Sequence, residues 1–148
     1  MIDYKKYGIG EREIEFRGVC QKTRGLVCGD YVRLVLGGNI HEYIKPLDSK
    51  RIEVEYFSVA QYSGLKDKNG KKIFEGDIVE LKGLRYYSQE VTENFKVYFK
   101  KGRFCVYGGE NGDVSLSDFC FVRDSRHDDY RNDCIVIGNI FENPELIK

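Results

Sequence analysis

Basic and aromatic side chains alternate between residues 95 and 103, and this is the stretch best suited to bind a ligand. If Phe95, Val97 and Phe99 face a core, the two-residue period of a strand places their neighbours on the opposite face. Those neighbours, with the next two cations along the chain, are Lys96, Tyr98, Lys100, Lys101 and Arg103. Single-stranded nucleic acid binds such surfaces because bases stack on aromatic rings while cations contact phosphates. The alternative is a solvated sheet face whose lysines protect an edge strand.

Metal ligation and catalysis find weaker support in the residue types present. His127 lies in an acidic segment, residues 124–133, between Cys120 and Cys134, but the spacing matches no compact zinc pattern. No histidine stands in an arrangement typical of an activated nucleophile, and no pair of carboxylates is singled out. We therefore expect no metal, no cofactor and no enzymatic activity.

The cysteines indicate reduced thiols and not a disulfide framework. Their number, five, is odd, and no Cys-x-x-Cys pair occurs. Cys105, Cys120 and Cys134 stand within apolar strings, where cysteine behaves as a small hydrophobic residue. We expect these three thiols to be buried.

The charges balance, since 24 Lys and Arg offset 24 Asp and Glu. No global field therefore attracts the chain to nucleic acid. Residues 61–105 carry 10 positive and 6 negative groups, whereas residues 106–148 carry 4 and 9. This asymmetry fits head-to-tail self-association or, equally, two differently charged solvated surfaces. No apolar run approaches the length of a membrane span, so we expect no membrane association and a cytoplasmic location.

Patterns typical of strands occur along most of the chain. Arg51–Tyr56 and Phe95–Lys100 alternate as half-buried strands do, and the apolar run Tyr31–Leu36 predicts a strand covered on both faces. The one helix-start signal is Asn143 as a cap followed by Pro144. We expect a mostly β protein with a short C-terminal helical turn and helix confined largely to residues 141–147.

Turn signals separate these strands and divide the chain. We assign structural and not catalytic roles to the turn residues Gly64, Asn69, Gly70, Gly76, Asp77, Gly138 and Pro144. The strand-like pattern is interrupted between residues 59 and 64, which makes this the best place to divide the chain. We therefore expect an N-terminal β lobe over residues 1–60 and a C-terminal β barrel over residues 61–148, within one compact unit.

Three sequence blocks resemble the YopX family of phage and prophage proteins. They are QYSGLKDKNGKKIFEGDIVEL at residues 61–81, VIGNIFENPEL at residues 136–146 and REIEFRG at residues 12–18. The resemblance implies a mostly β fold with a small SH3-like barrel in the C-terminal half. It implies no established biochemical activity.

Eleven tyrosines and nine phenylalanines, without tryptophan, are many aromatic residues for this length. Some of them must lie near the surface, where tyrosine favours protein interfaces. We expect a phage or prophage accessory protein in the bacterial cytoplasm that forms homo-oligomers and binds a phage or host protein. The alternatives are a β barrel that binds single-stranded nucleic acid and an enzyme with a carboxylate-based site.

Overall fold

Strands make up most of the structure, as the sequence predicts. The computed structural model describes residues 12–86, 89–108, 112–124 and 129–147. Side chains are described throughout these ranges except at residues 82–86, 89–91, 121–124 and 129–132. Strands account for more than half of the described residues, which confirms the mostly β fold class.

Helix is scarce in the described residues, but its position differs from the prediction. The α-helix α1 spans Leu116–Cys120, and 3-10 turns occur at Tyr56–Ser58 and Pro144–Leu146. The expectation that helix is confined to the C-terminal segment is therefore wrong. Among the described residues, no helix has the length and apolar character needed to cross a membrane.

Two compact units make up the chain, Met1–Gly64 and Leu65–Lys148. The sequence predicts the division four residues earlier, between residues 60 and 61. The strand Ala60–Lys66 runs through both positions, so the structural division falls inside a strand. A change in composition does not reveal where a continuous strand passes from one unit to the next.

The first unit contains an antiparallel sheet in the order β4-β3-β2-β1-β5. Its strands are β1 (Phe16–Val19), β2 (Leu26–Leu36), β3 (Asn39–Lys45), β4 (Ile52–Glu53) and the start of β5 (Ala60–Lys66). Val19, Ile44, Val54 and Tyr62 are buried and form a small core. At Gly29, a side chain would collide with the carbonyl oxygen of Lys45. Glycine is therefore required where β2 passes from pairing with β1 to pairing with β3.

The second unit holds several small sheets around one apolar core. Its further strands are β6 (Lys72–Phe74), β7 (Asp77–Tyr86), β8 (Gln89–Lys96), β9 (Tyr98–Lys100), β10 (Arg103–Tyr107), β11 (Asp113–Ser115), β12 (Phe121–Asp124), β13 (Asp129–Asn132) and β14 (Cys134–Asn139). The sheets are β14-β7-β8, β11-β10-β9 and β12-β13, while β6 pairs with β5. In the part of the chain that the structure describes, none of them closes on itself. The SH3-like barrel stays a prediction.

Candidate functional site

Val97 interrupts the strand that the sequence predicts over residues 95–100. Its amide donates to the carbonyl oxygen of Asp77, and its own carbonyl oxygen accepts from the amide of Gly76, both at 2.8 Å. Its side chain is fully buried in the core of the second unit. Lys96 therefore ends β8, whereas Tyr98 begins β9 in a different sheet.

This interruption corrects the predicted basic and aromatic face. Lys96 belongs to the β14-β7-β8 sheet and does not share a face with Tyr98 and Lys100. Phe99, expected in the core, is 50% exposed. Lys101 lies in the turn between β9 and β10 with a φ of +51°.

Tyr98, Lys100, Arg103 and Asp113 do share one face of the β11-β10-β9 sheet. Lys100 lies opposite Arg103, and Tyr107 lies opposite Asp113. Because directly opposed residues point to the same side and side chains alternate along each strand, these four groups converge. We call these four residues the Asp113 cluster.

Asp113 binds the other three members of this cluster. Its carboxylate accepts a hydrogen bond from the Tyr98 hydroxyl at 2.5 Å and lies 2.7 Å from the Lys100 ammonium. Its carbonyl oxygen accepts from the Arg103 guanidinium at 3.1 Å. The lysine and tyrosine hydrogen bonds lower the pKa of Asp113, and its carboxylate raises the pKa of Tyr98 to about 12. Two of the predicted phosphate-binding cations are thus already engaged by an acidic residue.

A second polar group, the buried carboxylate of Asp67, organises the turn at Lys68–Gly70. One oxygen accepts from the amides of Asn69 and Lys71 at 2.8 and 2.9 Å. The other accepts from the amide of Val136 at 3.0 Å. Asp67 therefore closes the turn and attaches it to β14, a long-range role that no local sequence pattern indicates.

Gly70 and Gly76 lie at turns of the backbone, whereas Gly64 lies inside β5 and not at the predicted turn. Gly64, Gly70 and Gly76 have φ values of +87°, +82° and +77°, a region that favours glycine. Buried Asp77 accepts a hydrogen bond from the amide of Phe74 at 2.8 Å, across the turn that contains Gly76. These contacts are structural and involve groups within the protein.

The C-terminal turn uses Asn139 in place of the predicted Asn143 cap. The side-chain oxygen of Asn139 accepts from the amides of Phe141 and Glu142, each at 3.0 Å. Asn143 makes no side-chain cap to the 3-10 turn that Pro144 begins. Gly138 lies beside Asn143, where a side chain would meet the Asn143 amide oxygen at 2.6 Å. The predicted cap is wrong because β14 ends in a loop that Asn139 stabilises.

An exposed hairpin extends from the first unit. We call residues 30–45 the arm, in which β2 and β3 pair continuously from Asp30–Lys45 to Leu36–Asn39. In the described residues, β1 pairs with β2 only as far as Gly29, and β4 pairs with β3 only at Tyr43 and Ile44. Near its base, the Tyr31 hydroxyl donates to buried Glu42 at 2.8 Å. The arm is thus a regular two-stranded ribbon beyond its neighbours in the sheet.

The end of the arm carries exposed apolar side chains. Val35, Leu36 and Ile40, which we call the arm tip, are 67%, 50% and 44% exposed. The prediction that Tyr31–Leu36 is covered on both faces is therefore wrong, because the described neighbouring strands end before the arm tip. The sequence does indicate the hairpin that carries these side chains, since Gly37-Gly38 between apolar residues is typical of a tight hairpin turn.

A groove of about 340 Å³ lies elsewhere in the first unit. Cys20, Lys22, Tyr43 and Arg51 are among the residues that line it. Hydrogen bonding from the Thr23 side chain is the main cause that lowers the pKa of the Cys20 thiol. The Arg51 guanidinium lies 5.0 Å from the centre of the Tyr43 ring. The groove combines a thiol, an aromatic ring and two cations.

The predictions for cysteine and histidine have different outcomes. Cys105, Cys120 and Cys134 are fully buried and form no disulfide, which confirms the predicted burial, whereas Cys28 is exposed. His41 contacts the Glu53 carboxylate at 2.7 Å through Nδ1. His127 and its neighbours at residues 125–128 lie outside the described residues. The described part of the chain contains no cluster of potential metal ligands.

Comparisons with known proteins identify a family and two similar folds, and the names of these proteins state no activity. A family model described as YopX protein matches residues 15–148. No curated protein matches the chain. The crystal structure of protein EF1440 from Enterococcus faecalis is 25% identical, with a TM-score of 0.52, covering 92% of this chain and 99% of that one. The X-ray structure of protein YopX from Bacillus subtilis is 15% identical, with a TM-score of 0.50, covering 90% and 95% of the two chains, which is a likeness of fold.

Proposed function

The chain belongs to the YopX family, and we propose that it is a non-enzymatic phage accessory protein that binds proteins and forms homo-oligomers through the arm. The observation that carries this proposal is the arm tip. Val35 and Ile40 lie directly opposite each other on one face of the arm and are both exposed, and Leu36 is exposed on the other face. Adjacent exposed apolar side chains are a feature of protein interaction sites.

The charge of the arm favours a second copy of the chain as its partner. Asp30 and Glu42 balance Arg33 and Lys45, and residues 34–41 contain no aspartate, glutamate, lysine or arginine. Two arms therefore approach without net repulsion, and contact between their tips removes apolar surface from water. A strongly charged partner would gain little from this surface.

Binding without catalysis is supported by the contacts of the polar groups. Asp67 and Asp77 accept hydrogen bonds from backbone amides in turns, and Asp113 is held by Tyr98 and Lys100. The imidazole of His41 is bonded to Glu53. Because these polar groups are engaged in contacts within the protein, we assign them a structural and not a catalytic role.

Binding of single-stranded nucleic acid is the second candidate function. The common face of Tyr98, Lys100 and Arg103 favours it, because this face combines an aromatic ring with two cations. The Asp113 carboxylate between them weighs against it, since it neutralises positive charge and repels phosphate. We also propose that residues 61–148 form the small SH3-like barrel that the sequence predicts, and small β barrels commonly bind single strands.

Sedimentation velocity of the intact chain at several concentrations tests the leading proposal. We expect a species heavier than the 17.2 kDa monomer whose fraction rises with concentration. A single 17.2 kDa species at every usable concentration would contradict homo-oligomer formation.

A further inference from the structure

The outer edge of β2 in the arm is open among the described residues. β1 pairs with β2 only as far as Gly29, and beyond that position β2 pairs with β3 on its other side alone. The open edge spans residues 31–36. A strand edge of this kind presents amide and carbonyl groups with which a further strand can pair.

The turn of the arm determines which backbone groups point to this edge. Gly37 and Gly38 form a two-residue loop with φ values of +56° and +84°, which is typical of a type I′ turn. The flanking residues Leu36 and Asn39 therefore exchange hydrogen bonds, and such pairs recur at every second position of an antiparallel ladder. Even-numbered residues of β2 in the arm thus bond to β3. The odd-numbered residues point to the open edge, and they are Tyr31, Arg33 and Val35.

The pairing of β2 with β1 gives the same assignment independently. The amide of Cys20 donates to the carbonyl oxygen of Gly25 at 2.9 Å, one position before β2 begins. The odd-numbered residues that follow, up to Gly29, therefore also point towards β1. Beyond Gly29 the same side of β2 meets no described strand, so three consecutive odd-numbered positions each offer one amide and one carbonyl group.

The outer edge of β3 is shorter and more polar. The carbonyl oxygen of Glu42 points to that edge and already accepts from the amide of Val54 at 2.9 Å. Between the turn and Glu42, only Ile40 has the same outward orientation in the described arm. The β2 edge is therefore the better site for another strand.

The β2 edge also lacks the features that usually protect an exposed strand edge, which are lysine, proline and β-bulges. Residues 31–36 contain no lysine or proline, and the register between β2 and β3 is continuous. Their single charge, on Arg33, lies 3.7 Å from the Glu42 carboxylate. The edge thus suits a strand that is apolar and nearly neutral, and the same stretch in a second copy of the chain is such a strand.

We propose that two copies of the chain pair edge to edge, with β2 of one arm antiparallel to β2 of the other and backbone hydrogen bonds between their odd-numbered residues. This inference rests on the proposed function, since it specifies the contact through which the arm assembles. A two-fold axis makes the two strands antiparallel and uses both open edges, so the assembly closes as a dimer. The two arms then form one four-stranded sheet in the order β3-β2-β2-β3.

Residue-resolved hydrogen exchange of the unmodified chain tests this pairing, measured by NMR above and below the concentration at which the chain associates. The amides of Tyr31, Arg33 and Val35 should exchange at least about tenfold more slowly in the associated state, because they become hydrogen-bonded. The amides of Val32 and Leu34 bond to β3 in both states and are the internal reference.

The outcomes separate edge pairing from the proposed function. Association without slower exchange at the three odd-numbered residues would overturn edge pairing and leave assembly through the arm-tip side chains. Slow exchange at these residues in the monomer would also overturn it, because the edge would then be covered within one chain. A monomer at every concentration would overturn the proposed function and edge pairing with it.

Two substitutions at one position isolate the contribution of the backbone. Arg33→Pro removes an amide that points to the open edge, whereas Arg33→Ala removes the same side chain and keeps the amide. Arg33→Pro should raise the dissociation constant of the dimer at least about tenfold above that of Arg33→Ala, because a two-fold dimer loses the hydrogen bond twice. Equal constants would contradict edge pairing. If Arg33→Pro does not fold, the exchange pattern of the unmodified chain decides the question.

Discussion

Val35 lies directly opposite Ile40 across the β2–β3 hairpin, and both side chains are exposed. Opposed aliphatic residues on a sheet normally contribute to a core. Here the neighbouring strands end nearer the base of the arm, so the pair faces solvent in the described structure. This relationship links the fold to the proposed function, because it leaves a small apolar surface for a partner.

Replacing Asp67 with asparagine should lower the free energy of unfolding by about 1–3 kcal/mol, because the amide group cannot accept all three backbone hydrogen bonds. Urea unfolding measures the change. Asp48→Asn, at an exposed position, is the matched control and should change stability by less than about 0.5 kcal/mol. Equal effects of the two substitutions would show that the Asp67 contacts do not stabilise the fold.

Gly70→Ala should lower the free energy of unfolding by about 1–2 kcal/mol, because its φ of +82° disfavours any side chain. No atom lies within 4 Å of the added methyl group, so the effect isolates backbone strain. Gly25→Ala is the control, since a methyl group there makes only an ordinary contact at 3.6 Å without a positive φ. Thermal unfolding of both variants distinguishes the two positions, and an unchanged midpoint for Gly70→Ala would contradict the assigned turn.

Tyr98→Phe should destabilise the protein at neutral pH and progressively less between pH 10 and 12. The bond to Asp113 raises the pKa of folded Tyr98 from 10.0 to about 12. The protonated phenol thus contributes stability that is present below pH 10 and is lost as the pH rises through the folded value. Urea unfolding of both proteins across this range gives the difference in stability. A difference that stays constant to pH 12 would show that the hydroxyl does not titrate in this way.

The leading proposal also predicts that a mixed-sequence single strand is not retarded at low salt and high micromolar protein. The cations of the Asp113 cluster are engaged by Asp113, which reduces their attraction for phosphate. Electrophoretic mobility measures binding directly. Clear retardation that Tyr98→Ala weakens by about 1–3 kcal/mol would favour the nucleic-acid alternative, because that loss is typical of base stacking.

Local sequence patterns predict the strands and many of the turns. Lys68-Asn69-Gly70 and Gly37-Gly38 indicate tight turns because glycine adopts positive φ, and both segments turn in the structure. The C-terminal Pro144 likewise begins a helical turn, although one of the 3-10 type. These features depend on residues within a few positions of one another.

Features that depend on residues distant in the sequence cannot be predicted from local sequence patterns. The break at Val97 arises from its hydrogen bonds to Gly76 and Asp77, twenty or more positions earlier. Asp113 lies beside Lys100 only because β10 pairs with both β9 and β11 in a fixed register. Exposure of Val35 likewise depends on where β1 ends. An apolar run therefore indicates a strand but does not determine which of its side chains are covered.

Light scattering combined with size-exclusion chromatography tests the central claim most directly, by comparing the unmodified protein with a Val35→Glu, Ile40→Glu variant. We expect an oligomer for the unmodified chain and a folded 17.2 kDa monomer for the variant, because two carboxylates at the arm tip oppose its burial. Leu47→Glu, at a 90% exposed apolar position outside the arm, is the control and should remain oligomeric. A monomeric unmodified chain, or an oligomer that the arm-tip substitutions leave intact, would contradict assembly through the arm.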